Sequence, residues 1–180
     1  MPLNKSLSPL QRTPYAIARI AGAAVAVCLF TAVNAVALPT PHAELTRSVD
    51  VNGSPDAVWA KIGAFCAIKA WHPAIGSCSE DGKKPPTRTL VTKDGAATFV
   101  ELQTGRSTKK RFYSYTFISA PVPVTHYSST FKVTAKGKGM STVTWSGNYV
   151  PDAGKDKDAM DALTGIYESG LAEIKAQLEK

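Results

Sequence analysis

Cysteine, histidine and acidic residues are all sparse in this chain, and each shortage removes a class of function. Its 180 residues hold three histidines and three cysteines. His42, His72 and His126 stand far apart, none with a second ligand at the short spacing a zinc site uses, so no metal is expected. There is no Gly-x-Ser-x-Gly elbow and no glycine-rich phosphate loop after a strand. Gly137-Lys138-Gly139 has the context of a hairpin turn instead, and no organic cofactor is expected. Basic residues are dispersed except at Lys109-Lys110-Arg111, too small a cluster for a nucleic-acid footprint. Neither a repeat nor a low-complexity block occurs, and nothing after residue 44 marks a domain boundary.

Acidic charge is missing altogether before Glu44. Lys5, Arg12 and Arg19 are the charges of that stretch, and Ile20 to Leu38 carries none. This run is rich in Ala and Val and ends in Ala35-Val36-Ala37, a small-residue cleavage pattern. Residues 1–37 therefore read as a cleaved export signal, and the protein as periplasmic. A retained anchor is the alternative, because nineteen uncharged residues can just span a bilayer. Dilution by Ala and Gly favours cleavage, which leaves no membrane anchor. Val27 is too large for a lipoprotein site at Cys28.

Residues 38–180 then make one domain of 143 residues, enough for a real core. Losing three basic and no acidic residues leaves 18 against 14, a charge of +4 that serves solubility. Cys66 and Cys78 remain, twelve apart. In an oxidising compartment such a pair reads as a disulfide, worth roughly 3 kcal/mol in the chain-entropy picture. Two free thiols are the alternative.

Along the mature chain, Glu44 to Val51 reads as a strand. Asn52-Gly53-Ser54-Pro55 ends it and starts a helix, with Ser54 as cap and Pro55 in the first turn. Val58, Trp59, Ile62 and Phe65 form its apolar side. A short second helix holds Ala67 to Trp71 and stops at Pro73. From Ile75 the period changes to that of strands: Ile75–Glu80, Arg88–Thr92, Thr98–Gln103, Arg111–Ser119, His126–Ala135 and Met140–Val150. Asp81-Gly82, Asp94-Gly95, Gly105-Arg106-Ser107 and Gly137-Lys138-Gly139 supply turns between them, and Pro121 and Pro123 a stiffer link. Lys155 to Lys180 is a long helix, its stripe made by Met160, Leu163, Ile166, Tyr167, Gly170, Leu171, Ile174 and Leu178. Its roughly 36 Å length would cross a whole small sheet. The expected architecture is α+β, a helix-grip fold. A seven-stranded curved antiparallel sheet surrounds a long C-terminal helix, with two short helices between strands one and two.

In this order the chain resembles the Bet v 1-like or START-like (SRPBCC) superfamily, the polyketide cyclase/dehydrase and lipid transport family. The resemblance runs from about Leu45 to Leu178. It is carried by Val51-Asn52-Gly53-Ser54-Pro55-Asp56-Ala57-Val58-Trp59, Trp71-His72-Pro73, Tyr113-Ser114-Tyr115, Thr144-Trp145-Ser146-Gly147 and Ile166-Tyr167-Glu168-Ser169-Gly170-Leu171. The chain is most similar to exported bacterial members, including proteins linked to methanol oxidation, which have cysteines at positions like Cys66 and Cys78. The resemblance implies a cavity between sheet and long helix for small, largely apolar molecules. It fixes no reaction.

Strand alternation gives Tyr113, Tyr115 and Phe117 a shared face on the fifth strand, Tyr127, Ser129 and Phe131 on the next, and Val143, Trp145 and Tyr149 on the last. Such surfaces either line an apolar pocket or fill the interior. Glu101 interrupts an apolar strand. Pointing inward it needs a partner; pointing outward it would pair with Arg111 or Lys109. Plant hormone receptors of the superfamily have a pocket glutamate in a similar strand, and their Tyr and Ser resemble Tyr127 and Ser129. His72 sits at the expected pocket mouth, either in the site or hydrogen-bonded to a backbone carbonyl. Trp71 beside it and Tyr167 on the helix complete the candidate ligand-binding set. Three functions follow: a carrier or sensor of a small hydrophobic ligand; a cyclase, aromatase or dehydrase using Glu101, His72 or a tyrosine as acid/base; or an accessory to a periplasmic dehydrogenase.

Overall fold

The structure, a computed structural model, describes residues 42–180. The expected export signal lies outside the described residues. β1 (Ala43–Asn52) is followed by α1 (Pro55–Ile62), a tight helical turn (Phe65–Ala67) and α2 (Ile68–Trp71). Six strands come next: β2 (Ile75–Glu80), β3 (Thr87–Thr92), β4 (Thr98–Ser107), β5 (Phe112–Ser119), β6 (Val124–Gly137) and β7 (Met140–Pro151). The chain closes with α3 (Asp156–Leu178). The strands form one antiparallel sheet ordered β1-β7-β6-β5-β4-β3-β2. This is the expected α+β helix-grip arrangement, seven strands with short helices between the first two.

Local chemistry explains the layout. Gly53 takes a φ of 120°, which lets the chain leave β1 sharply, and Ser54 Oγ accepts the Ala57 N–H at 3.3 Å to cap α1. β1 and β2 lie at opposite edges of the sheet, so the segment between them must cross it. Val58, Trp59, Ile62, Phe65, Ile68 and Trp71 are buried along that crossing. On α3 the buried stripe is Ala159, Leu163, Tyr167, Gly170, Leu171 and Ile174. Asp156 and Asp158 stand in its first turn and Lys175 in its last, as the helix dipole favours.

Two expectations need correction. Gly105-Arg106-Ser107 is strand, with Gly105 opposite Ser114 after a bulge and Ser107 opposite Phe112. The Arg106 guanidinium donates to the Gly63 carbonyl at 2.8 Å and holds the strand on, so the turn falls at Thr108–Arg111, where Arg111 takes a φ of 50°. Met160 is 52% exposed; it is one residue past Ala159, about 100° round the helix from the stripe.

Candidate functional site

β5, β6 and β7 alternate, so Tyr113 and Tyr115, then Tyr127, Ser129 and Phe131, then Trp145 and Tyr149 point inward and are buried. One part of the interior is solid. Trp71 stacks on Phe131 with ring centroids 5.2 Å apart and planes at 8°. Tyr113 packs on Phe131 at 5.4 Å, and Trp145 stacks on Tyr167 at 4.4 Å. The neighbouring part is hollow: a cavity of about 320 Å³ lies between the sheet and α3. Its wall is mostly apolar, with Leu90, Phe99, Phe117, Val122, Leu163 and Ile166 contributing.

Of the candidate residues, His72, Glu101, Tyr115, Tyr127 and Trp145 line this cavity. Trp71, Tyr113, Phe131, Ser129 and Tyr167 do not. The first three belong to the solid aromatic block; Ser129 and Tyr167 stand behind the wall and hold it through hydrogen bonds. Leu90, Phe99, Val122 and Ala162 were not singled out from the sequence, because aliphatic wall and aliphatic core have the same residue pattern.

The polar groups on the wall form a chain whose donor directions are fixed. Ser129 Oγ donates to the Ser146 carbonyl at 2.8 Å, which uses its one proton. Tyr167 must therefore donate to Ser129 (3.1 Å), Tyr127 to Tyr167 (2.7 Å) and Tyr115 to Tyr127 (3.3 Å). Trp145 Nε1–H is shared between Tyr115 Oη and Ser129 Oγ, at 3.0 Å each. Gly147 makes room for this chain, since a Cβ there would fall 2.4 Å from the Tyr167 hydroxyl. Burial pushes the Tyr115 and Tyr127 phenols well above their ordinary range and Tyr167 up to about 12, so all three keep their protons at neutral pH.

Glu101 points inward, against the outward alternative. Its Oε2 accepts the Arg88 Nε–H at 2.5 Å, the two residues being direct cross-strand partners on β3 and β4. Arg111 pairs instead with Asp56 at 2.8 Å. Burial raises the Glu101 carboxyl, and Arg88 pulls it back down. Burial likewise opposes the charge on Arg88, but the Glu101 carboxylate outweighs it and raises that pKa. The Arg88 guanidinium carbon lies 4.1 Å over the Phe65 ring, a cation–π contact. Sequence reasoning missed Arg88. Its alternation with Leu90 in Thr87-Arg88-Thr89-Leu90 was the available signal.

His72 is neutral. Its Nε2–H donates to the Ile166 carbonyl at 3.0 Å and its Nδ1 accepts the Ala74 N–H at 3.2 Å, so both nitrogens are committed to backbone. Burial lowers its pKa, and Arg88 and Lys93 add to that. Cys66 and Cys78 form a disulfide with Cα atoms 5.6 Å apart, joining the turn before α2 to β2. Among the described residues no group of three or more metal-ligating side chains is found.

The polyketide cyclase/dehydrase and lipid transport family model matches residues 42–179. The structure of XoxI from Bacillus cereus is similar, with 34% identity, a TM-score of 0.72, and 77% of this chain and 96% of that one covered. A putative uncharacterised protein from Bacillus thuringiensis has the same identity and TM-score, over 77% of this chain and 100% of its own. The Zhui aromatase/cyclase of a Streptomyces species shares the fold, at 14% identity, TM-score 0.63 and 77% and 94% coverage. No curated protein matches the chain. Matched from its first strand to the end of its long helix, this chain belongs to the polyketide cyclase/dehydrase and lipid transport family.

Proposed function

We propose that the chain is exported to the periplasm by residues 1–37, acquires its Cys66–Cys78 disulfide there, and binds a small, largely hydrophobic molecule between sheet and α3 without transforming it. The observation that carries this reading is the cavity of about 320 Å³ with its mostly apolar wall. That volume is at the lower end of ligand sites.

Catalysis is the weaker reading because no side chain on the wall has a proton to give. The one open acceptor, Glu101 Oε1, belongs to a carboxylate that its pairing with Arg88 makes a poorer base. The phenols keep their protons and have committed them, His72 is neutral with both nitrogens engaged, and Glu101 is tied to Arg88. A general acid needs a free proton within reach of substrate, and a general base a pKa matched to its task. Likeness to XoxI supports a second reading, an accessory protein to a periplasmic dehydrogenase; co-purification with no such enzyme would count against it.

Native mass spectrometry of protein from its own host tests the binding reading. A bound apolar mass is expected in the wild type. Ala162→Phe, which fills the cavity from the helix side, should lower its occupancy about tenfold. Absence of any bound mass, together with no thermal shift from apolar probes, would remove the reading.

A further inference from the structure

The wall of the cavity has a one-sided hydrogen-bonding character. Every side-chain donor on it is already used: Tyr115 and Tyr127 in the hydroxyl chain, Trp145 on Tyr115 and Ser129, His72 on Ile166, and Thr92 Oγ1 on Asp94 at 2.6 Å. The Glu101 carboxylate, by contrast, has one side-chain partner among the described residues, Arg88, and that partner occupies Oε2. Oε1 is left as an acceptor on a residue that is 3% exposed and lines the cavity. A carboxylate oxygen on an apolar cavity wall gains from a donor that enters with the ligand. Arg88 has an unpartnered Nη2, but Arg88 is not part of the wall, and its guanidinium is wholly buried against the Phe65 ring.

We infer that the ligand is a neutral, largely apolar molecule bearing a hydroxyl or another uncharged N–H or O–H donor, which it places on Glu101 Oε1. This rests on reading the cavity as a ligand site and names the chemistry that site selects. Charge decides between donors. The Arg88–Glu101 pair is neutral as a unit, so a ligand cation would leave one uncompensated positive charge in a dry interior, which is costly. A ligand carboxylate would face Glu101 with no donor on the wall to receive it. A neutral donor avoids both penalties.

A matched set of probes tests this: naphthalene, naphthol, naphthoate and naphthylmethylammonium, titrated into the full mature protein at neutral pH by calorimetry. Naphthol is expected to bind about tenfold more tightly than naphthalene, the scale of a hydrogen bond to a charged acceptor, and both ions more weakly than naphthol. In Arg88→Met/Glu101→Met, which replaces the buried pair with apolar residues of similar volume, the naphthol-to-naphthalene affinity ratio should fall to about one. Either ion matching naphthol would overturn the inference, as would a wild-type ratio near one or a tenfold ratio that survives the double substitution. Failure of the whole set to bind the wild type, naphthalene included, would strike the cavity reading itself.

Discussion

His72 fastens α3 to the segment that crosses the sheet, and it can do so only while uncharged. Protonating Nδ1 would set its new N–H against the Ala74 N–H that now donates to it. Burial, with Arg88 and Lys93 nearby, holds its pKa below the ordinary 6.5. The unfolded chain thus takes up a proton near 6.5 that the folded chain takes up only at lower pH. In that window the unfolded state binds more protons, so stability rises with pH and is lost on acidification. Asp50, Asp81 and Asp94, whose hydrogen bonds hold them below 3.8, act only in more acid solution. The urea midpoint of the wild type should fall between about pH 7 and pH 5.5, while His72→Gln, which keeps an amide donor and acceptor, should show a flatter profile. Parallel profiles would dismiss His72 as the cause. The residue was partly legible beforehand: a histidine between Trp71 and Pro73 suggested a backbone carbonyl partner, but the carbonyl, Ile166, is on a helix far along the chain. Arg88 was legible only through its alternation with the buried Leu90. An arginine in a strand reads as an outward cation until a buried carboxylate opposite it is known.

At the scale of elements, α3 depends on a glycine for its close approach. A Cβ at Gly170 would meet His72 Cδ2 at 2.9 Å, Trp71 Cζ3 at 3.0 Å and Trp145 Cζ3 at 3.1 Å. Gly165, on the same helix, has nothing within 4 Å of that position. Helix propensity alone favours alanine over glycine by about 1 kcal/mol at both, so the pair separates propensity from packing. Gly165→Ala should stabilise by up to about 1 kcal/mol, whereas Gly170→Ala should destabilise by about 1–3 kcal/mol because three rings behind it cannot all retreat. Chemical denaturation of the two variants decides the matter, and equal effects would mean that α3 is not held by this contact. The stripe itself was readable in the sequence, since Leu163, Tyr167, Gly170, Leu171 and Ile174 recur at helical spacing. Its exact rotation was not, which is why Met160 fell outside. A bulge likewise hid the true end of β4: Gly105 has the composition of a turn, but it and the two residues after it pair with β5, and Arg106 is also anchored to Gly63.

For the molecule as a whole, the division into a solid aromatic block and an adjoining hollow is the property on which binding depends. Strand periodicity made the inward faces predictable, but not which rings interlock and which stand back. Trp71 and Phe131 meet face to face, while Tyr115 and Phe117 border open space, and both outcomes have the same alternating pattern. The block is held where it is by the segment between β1 and β2, which packs Phe65, Ile68 and Trp71 inward. The part of it that carries these residues is one tight turn and α2, which is four residues long. The Cys66–Cys78 link ties it to the edge strand β2 across a separation of twelve residues, restricting the unfolded chain and keeping the Trp71 block against the sheet. Cys66→Ala/Cys78→Ala should therefore cost about 3 kcal/mol of unfolding free energy, and a reducing agent should produce the same loss in the wild type and none in the variant. Ligand affinity should fall as well, because His72, on the cavity wall, is carried on the same segment. If the variant unfolds at the wild-type midpoint, the segment is held by packing alone, and the disulfide has no part in maintaining the hollow.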